Sequence, residues 1–83
     1  MFHVYILRSA RTQRYYVGST QDIANRVREH NAGEQLSTRA GIPWELVYHA
    51  AFETRAQSVR CERKIKARGI GRYLSGIGVR SGG

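Results

Sequence analysis

The fold is decided by two stretches near the start of the chain, FHVYILR at residues 2–8 and YYVG at residues 15–18. Both are rich in β-branched and aromatic residues, and the first alternates between two faces with a period of two residues. The residues between them, SART at 9–12, have the composition of a turn. The sequence therefore predicts a β-hairpin at the start of the chain.

The length of the hairpin loop decides which side chains face each other. With residues 9–12 as a four-residue loop, antiparallel pairing places Tyr5 opposite Tyr16. Directly opposed residues point to the same face of a sheet, so two phenol groups would lie side by side. Two interpretations stay open, because tyrosine pairs also pack between strands without any chemical role. Gly18 would either let a backbone or a phosphate approach closely or simply end the strand.

A helix is predicted directly after the hairpin. Ile23, Val27 and His30 recur at helical spacing, and Thr20 can cap the helix at its start. Arg26 falls within the same stripe, where a guanidinium is unexpected, although long arginine side chains also extend their charge from such positions into water. His30 has two interpretations as well, a catalytic base or a residue that favours the negative end of the helix dipole.

The remainder of the chain predicts one more strand and two more helices. Residues 34–43 have the composition of a polar loop, residues 44–52 that of a strand, and residues 55–68 that of a helix opened by a capping box. Residues 70–77 carry apolar side chains at helical spacing. The predicted fold is α+β, with a small three-stranded sheet flanked by two to three helices (β-β-α-β-α-α) in one domain that ends at residue 77. Residues 78–83 are expected to be disordered.

Glu62 is the least expected residue of the second helix. At 100° per residue it falls between Val59 and Ile65 on the apolar side of that helix. A carboxylate in such a position is costly unless it is paired or bound to a cation. The sequence leaves two interpretations open, an ion pair with a core-facing arginine or a ligand for a metal ion.

The charge balance favours a polyanionic partner. The 83 residues carry 14 Lys and Arg against six Asp and Glu, which gives a net charge of +8, and only Lys64 and Lys66 among these cations are lysines. Arginine makes forked contacts to phosphate groups, so nucleic acid is the leading candidate. A soluble cationic surface is the alternative. The short chain excludes a multidomain enzyme.

The location of the protein is predicted from its cysteine and its N terminus. Cys61 is the single cysteine, which excludes an intramolecular disulfide, and no Cys and His spacing resembles a zinc site. The apolar run at the N terminus is too short for a signal peptide or a membrane span. We therefore expect a reducing, cytoplasmic location and no membrane partner.

Taken in order, the residues singled out above resemble a known pattern. Its parts are Val4-Tyr5-Ile6-Leu7, Tyr16-Val17-Gly18-Ser19-Thr20, Asp22 with Arg26, His30 and Asn31, and Glu62 followed by Ile65-Lys66. Together they resemble a GIY-YIG nuclease domain, specifically its short stand-alone bacterial members, over nearly the whole chain to Lys66. Two departures are visible. His3 stands where the first motif usually has glycine, and residues 69–78 hold no match for a polar residue of the third helix.

The resemblance implies a small sheet flanked by helices and hydrolysis of a phosphodiester in DNA with one divalent cation, Mg²⁺ or Mn²⁺, bound weakly without substrate. Tyr5, alone or with His30, would act as general base on water. Arg26 would stabilise the pentavalent phosphorane, and Tyr16 would position the phosphate or the nucleophile. Glu62 would be a catalytic residue and the metal ligand. Because a phenol ordinarily titrates at about pH 10, Tyr5 would need Arg26 or the metal to favour phenolate.

Five residues are expected to contact nucleic acid: Gly18, Arg14, Arg28, Arg39 and Lys66. The chain has no separate DNA-reading domain, so we expect low sequence specificity or structure selectivity, with targeting by shape or by a protein partner. The sequence does not separate DNA from RNA. Two alternatives stay open, a catalytically weak nucleic-acid-binding module and a basic protein-interaction domain whose tyrosines only pack the sheet.

Overall fold

The computed structural model describes residues 1–78 and confirms the predicted order of strands and helices. The predicted disordered tail lies outside the described residues, apart from Gly78. One element goes beyond the prediction, a 3-10 helix inside the expected polar loop. The elements are β1 (Phe2–Ser9), β2 (Tyr15–Thr20), α1 (Ile23–Asn31), the 3-10 helix (Leu36–Gly41), β3 (Trp44–Phe52), α2 (Arg55–Arg68) and α3 (Ile70–Gly76).

β1 is the central strand of the sheet. The strand order is β2-β1-β3, and both pairings are antiparallel. The β1–β3 pairing contains a register shift between Ile6 and Leu7. Since β1 has a neighbour on each side and is covered on both faces, Val4, Ile6 and Leu7 are all fully buried. This burial explains why residues 2–8 are apolar on both faces instead of alternating with polar residues.

The hairpin forms, but the predicted pairing of Tyr5 with Tyr16 is wrong. Tyr5 pairs with Gly18 instead, so the register is shifted by two residues. The cause is a longer loop between the last paired residues, six residues at 9–14 instead of four, in which Gln13 adopts a left-handed φ of 67°. A shift of two residues leaves every side chain on its predicted face. The two tyrosines are therefore diagonal neighbours on one face of the sheet.

The two faces of the sheet carry different layers. One face, here called the helical face, holds an apolar core beneath α2 and α3: Val4, Ile6, Val17, Ile65 and Leu74. The other face, here called the tyrosine face, holds a smaller core: Tyr5, Leu7 and Trp44. Val27 of α1 and Ile42, next to the 3-10 helix, pack against the smaller core. The predicted tyrosines thus lie under α1 rather than under α2.

Side-chain caps set the start of both long helices. Asp22, rather than Thr20, is the N-cap of α1, because its carboxylate accepts a hydrogen bond from the Asn25 N–H. The capping box of α2 is confirmed, since Thr54 and Gln57 each accept a hydrogen bond from the backbone N–H of the other.

No helix within residues 1–78 has the length and apolar content to cross a membrane.

Candidate active site

The Tyr5 hydroxyl lies at the buried centre of the tyrosine face. Tyr5 is 2% exposed, and its hydroxyl oxygen lies 3.1 Å from Nε2 of His30. His30 is in the last turn of α1 and is 1% exposed. Its other ring nitrogen, Nδ1, lies 2.7 Å from the hydroxyl of Thr38 in the 3-10 helix. His30 is therefore a buried link between β1 and the 3-10 helix, and not simply a helix-terminal residue.

Tyr16 completes a group of three neighbouring rings. Its ring centroid lies 4.9 Å from that of His30 and 6.2 Å from that of Tyr5. Gly18 permits this packing, because a Cβ atom at that position would lie only 2.7 Å from the Tyr5 hydroxyl and 3.1 Å from the Tyr16 ring. The space above Gly18 is thus filled by tyrosine, and is not left open for a backbone or a phosphate.

Arg26 brings a positive charge to these rings. Its side chain is partly exposed, and its Nε lies 3.5 Å from the Glu29 carboxylate. Burial lowers the pKa of the His30 imidazole, the charge of Arg26 lowers it further, and Glu29 opposes the change. The imidazole is therefore neutral at pH 7, which leaves one ring nitrogen able to accept a proton.

The Tyr5 phenol keeps its proton in the free protein. Burial raises the pKa of Tyr5, the neighbouring Tyr16 raises it further, Arg26 lowers it, and Glu62 adds a smaller rise. The prediction that Arg26 favours the phenolate has the right direction, but burial outweighs the effect. Tyr5 therefore needs a partner that takes its proton, and Nε2 of His30 is the nitrogen in place.

Glu62 lies at the edge of the helical face and reaches toward β2. One of its carboxylate oxygens accepts a 2.6 Å hydrogen bond from the Ser19 hydroxyl, and the other lies 2.9 Å from Nζ of Lys66. Its ion-pair partner is therefore Lys66, one helical turn away, and not a core-facing arginine. Partial burial raises the pKa of the Glu62 carboxyl, but the bonds from Ser19 and Lys66 lower it more, to below its ordinary value. Glu62 is ionised at neutral pH.

A cleft along β2 brings the sheet and α2 together. Its lining residues are Tyr15, Tyr16, Val17, Gly18, Ser19, Glu62, Lys66 and Ile70. The cleft thus contains two predicted catalytic residues, Tyr16 and Glu62, and two predicted nucleic-acid contacts, Gly18 and Lys66. Tyr5 lies directly behind Gly18, and the Glu62 charge acts on its hydroxyl. Tyr5, Tyr16 and His30 therefore form one group of rings on which the Arg26 charge acts, and Glu62 lies in the adjoining cleft along β2.

The other three predicted nucleic-acid contacts lie outside this cleft. Arg28 is paired with Glu34, with 3.2 Å between Nη1 and the carboxylate, and Arg39 donates a 3.1 Å hydrogen bond to the Gly33 carbonyl. Arg14 lines a neighbouring cleft between the hairpin loop and the 3-10 helix. Contact between these three arginines and nucleic acid stays a prediction.

Glu62 is also the residue that could hold a metal ion. Within residues 1–78, no group of three His, Cys, Asp or Glu side chains is placed to bind a metal. The ionised Glu62 carboxylate and the Ser19 hydroxyl beside it are oxygen donors, the kind that Mg²⁺ takes. This donor set fits an ion that keeps several waters and completes its coordination with substrate, and does not fit a closed site made of protein alone.

Two contacts of the site are absent from the sequence prediction. Thr38 contacts His30 from a segment with the composition of a loop, and the seven intervening residues leave no periodic pattern to detect. Ser19 contacts Glu62 across 43 residues of chain. Both contacts depend on how distant elements pack, so no local signal in the sequence could have found them.

The family model of the GIY-YIG catalytic domain matches residues 1–69 of this chain. The matched range is most of the 83 residues and includes every predicted catalytic residue. The chain belongs to the GIY-YIG family. The resemblance seen in the sequence is therefore confirmed, and the GIY-YIG match covers the three strands, α1 and α2, which carry the site.

Similar sequences include GIY-YIG proteins from several organisms. A UPF0213 protein of Haloquadratum walsbyi is 41% identical over 66 residues, which cover 78% of this chain and 73% of that protein. A UPF0213 protein of Halobacterium salinarum is 37% identical over 67 residues, which cover 80% of this chain and 86% of that protein. The structure-specific endonuclease subunit slx1 of Schizosaccharomyces pombe is 36% identical, and the match covers 93% of this chain but only 31% of that protein.

A solved structure shares the GIY-YIG fold described above. The solution NMR structure of a UPF0213 protein from Bacillus halodurans matches with a TM-score of 0.58 and 28% sequence identity. The match covers 95% of this chain and 87% of that chain. It confirms the predicted α+β class, with a small three-stranded sheet flanked by helices.

Proposed function

We propose that this GIY-YIG chain hydrolyses phosphodiester bonds in DNA, with low sequence specificity or with selectivity for DNA structure. The observation that carries the proposal is the 3.1 Å hydrogen bond between the Tyr5 hydroxyl and Nε2 of His30, in a group of rings that the Arg26 charge reaches. A neutral imidazole joined to a phenol can accept a proton at neutral pH.

The proton route runs from water through Tyr5 to His30. The proposal requires a water molecule to reach the nearly buried Tyr5 hydroxyl. One O–H bond of that water breaks as a new O–H bond forms on the phenol oxygen. At the same time the phenol hydrogen moves to Nε2 of His30. The water oxygen, now carrying an electron pair freed by this transfer, bonds to phosphorus. The bond from phosphorus to the leaving oxygen breaks, and the leaving oxygen departs with the electron pair of that bond and takes a proton from solvent.

Arg26 and Tyr16 act on the phosphate in this proposal. Attack by water adds negative charge to the phosphate oxygens, and a guanidinium placed beforehand stabilises that charge without having to move. Arg26 is partly exposed, and its charge lowers the pKa of both Tyr5 and His30, which supports this role. Tyr16 lines the cleft, where its hydroxyl can position the phosphate or the attacking water.

We also propose that Glu62 holds one divalent cation, Mg²⁺ or Mn²⁺. A single ionised carboxylate fits an ion that is bound weakly until substrate phosphate oxygens complete its coordination. When bound, such an ion would neutralise charge on the phosphate and on the leaving oxygen. Lys66 must release one Glu62 oxygen to make room for it, and the exposed, flexible Lys66 side chain can do so.

DNA is the proposed substrate class, and targeting is proposed to come from its shape or from a protein partner. The cleft offers hydroxyls, a carboxylate and a lysine, groups that contact phosphate and metal rather than base edges. The net charge of +8 favours a polyanion. The words structure-specific in the name of the slx1 relative support structure selectivity here. A cytoplasmic location suits a chain whose one cysteine, Cys61, is free.

A second candidate function is nucleic-acid binding without cleavage. It is favoured by the engagement of both Glu62 oxygens, one by Ser19 and the other by Lys66, because a metal ion would have to compete with both partners. The α3 wall of the cleft also presents an apolar side chain, Ile70, and no polar group. This candidate predicts salt-sensitive binding with no turnover.

The test is incubation of labelled branched and single-stranded DNA with Mg²⁺ or Mn²⁺, comparing wild type with Glu62→Gln. Glu45→Gln is the matched control, because Glu45 lies on β3, at the opposite edge of the sheet from β2. We expect metal-dependent cleavage by wild type and Glu45→Gln, and a loss of about 100-fold or more in Glu62→Gln. Cleavage that persists in Glu62→Gln contradicts the site. Binding without cleavage by every chain favours the second candidate.

A further inference from the structure

Thr38 is a buried hydroxyl that contacts His30 from outside the GIY-YIG motifs named above. It is 4% exposed, and its Oγ1 lies 2.7 Å from Nδ1 of His30. The same oxygen lies 3.4 Å from the Gln35 carbonyl, one turn earlier in the chain. Thr38 therefore joins an imidazole on one side to a backbone acceptor on the other.

These partners bear on which ring nitrogen of His30 carries the hydrogen. A threonine hydroxyl has a single hydrogen, and the Gln35 carbonyl can only accept it. With that hydrogen directed to Gln35, Thr38 would accept a hydrogen bond from Nδ1–H of the imidazole. In a neutral imidazole the other nitrogen, Nε2, is the acceptor, so the Tyr5 phenol donates to it.

The backbone around Thr38 is fixed to three other elements. The indole N–H of Trp44 donates a 2.8 Å hydrogen bond to the Thr38 carbonyl. The Ser9 hydroxyl of β1 donates a 2.6 Å hydrogen bond to the Gly41 carbonyl at the end of the 3-10 helix. The Asn31 side chain of α1 bonds both the N–H and the carbonyl of Trp44. These bonds hold the Thr38 hydroxyl at a set distance from the imidazole.

We infer that Thr38 is a positioning residue, which keeps the His30 hydrogen on Nδ1 so that Nε2 is free to receive the proton of Tyr5. The position of the hydrogen rests on the hydrogen bonds alone, whereas its consequence for cleavage rests on the proposed function. Without the Thr38 hydroxyl, Nδ1–H would be buried with no acceptor, which is unfavourable. The hydrogen would then move to Nε2 and be donated to Tyr5. Nε2 could then no longer accept the proton of Tyr5.

The surroundings of His30 favour a neutral ring, whichever of its two nitrogens carries the hydrogen. The titratable groups that face the ring are Arg26 and Glu29 of α1, and Tyr5 and Tyr16 of the sheet. Burial and Arg26 both disfavour the imidazolium, and Glu29 only partly offsets them. Removing the Thr38 hydroxyl therefore changes the position of one hydrogen and does not change the charge of the ring.

The test is nitrogen-15 NMR of the His30 ring above neutral pH, which distinguishes a protonated from an unprotonated ring nitrogen. Thr38→Val removes the hydroxyl while keeping the shape, Thr38→Ser keeps the hydroxyl, and Ser37→Ala removes an exposed hydroxyl next to it. We expect the hydrogen on Nδ1 in wild type, Thr38→Ser and Ser37→Ala, and on Nε2 in Thr38→Val. A wild type with the hydrogen on Nε2, or a Thr38→Val ring identical to wild type, overturns the inference.

Cleavage kinetics add a second readout. We expect Thr38→Val to lower kcat about 10- to 100-fold with KM unchanged, and Thr38→Ser to stay close to wild type. Equal losses in Thr38→Val and Thr38→Ser overturn the positioning role. If no chain cleaves while the ring hydrogen behaves as expected, the proposed function fails and the positioning of His30 stands. If Thr38→Val does not fold, the position of the hydrogen in the wild-type ring decides alone.

Discussion

On the helical face of the sheet, α2 and α3 bury mainly apolar side chains, whereas on the tyrosine face the buried groups include many polar ones. Ile65 and Leu74 are at most 1% exposed and pack on Val4 and Ile6. On the other face, His30 is just as deeply buried, but hydrogen bonds hold it. Apolar packing fills space without setting directions, while a hydrogen bond needs a defined distance and angle. The proposed proton route and the larger apolar core therefore lie on opposite faces of β1.

The two faces meet at β2, the edge strand. Tyr16 and Gly18 of β2 project to the tyrosine face, and the next residue, Ser19, projects to the other side and bonds Glu62 of α2. The period of two residues in one short strand thus brings the carboxylate of one layer next to the phenols of the other. An edge strand also leaves this junction open to a substrate as large as DNA.

The largest expected effect is on the helical face. Ile65→Ala should lower the free energy of unfolding by about 2–5 kcal/mol, because it leaves a cavity at a fully buried position. Val59→Ala, on the same helix but half-buried, should cost less. Urea denaturation measures both. A loss below about 1 kcal/mol for Ile65→Ala would contradict the view that this face supplies most of the stability.

Adding side-chain volume on the tyrosine face should destabilise the protein more than adding it at an open site. Gly18→Ala should cost about 1–3 kcal/mol, because its Cβ would collide with the Tyr5 hydroxyl. Gly71→Ala is the matched control, since its Cβ would meet only ordinary contacts in α3 and the change should gain about 0.5–1 kcal/mol. Thermal unfolding of the two variants gives the comparison. A Gly18→Ala chain as stable as wild type would show that the tyrosine packing is loose.

Lowering the pH should reduce the stability that the two faces contribute, but over a different pH range for each face. The pKa of His30 is lowered from 6.5, so below about pH 6.5 the unfolded chain takes up a proton that the folded chain resists, and stability falls. The pKa of Glu62 is lowered from 4.5, so the stability it contributes is lost only as the pH falls below that value. Urea unfolding across this range should show the first loss in wild type and not in His30→Gln. The same loss in both chains would contradict the buried, neutral imidazole.

The smallest expected effect is on metal binding at Glu62, where the two faces meet at β2. Lys66→Gln should free one oxygen of Glu62 and tighten Mn²⁺ binding by less than about 1 kcal/mol, because the lysine side chain is exposed and the ion pair is weak. Lys64→Gln removes the same charge from an exposed position of α2 that has no ion pair with Glu62. Isothermal titration with Mn²⁺ compares them. Weaker binding by Lys66→Gln than by Lys64→Gln would argue against competition at Glu62.

Composition and spacing are enough to predict most of the architecture, and they draw attention to several residues to which the family resemblance assigns catalytic roles. The strands follow from β-branched and aromatic runs, and the start of α2 from a capping box formed by residues three positions apart. Arg26 and His30 share a helix face because they are four residues apart, and Glu62 stands out as a charge on an apolar stripe. All of these signals come from residues that lie close together in the sequence. The helix signals also follow the helical period.

The parts that could not be predicted depend on contacts between distant residues. The hairpin register depends on Gln13, a residue type that rarely adopts a positive φ. The 3-10 helix is held by Ser9 and Trp44, which belong to different strands. The choice of Lys66 over an arginine as the partner of Glu62 depends on where α2 meets β2. Such contacts require the packed fold and leave no periodic trace in the sequence.

The most direct test of the site compares two hydrogen-bonded phenols on opposite faces of the sheet. The Tyr5 hydroxyl bonds His30 on the tyrosine face, and the Tyr48 hydroxyl bonds Tyr73 on the helical face. Single-turnover cleavage of branched DNA should fall about 10²- to 10⁴-fold in Tyr5→Phe, with DNA affinity unchanged, and stay near wild type in Tyr48→Phe. Cleavage by Tyr5→Phe at the wild-type rate would contradict proton transfer from Tyr5 to His30.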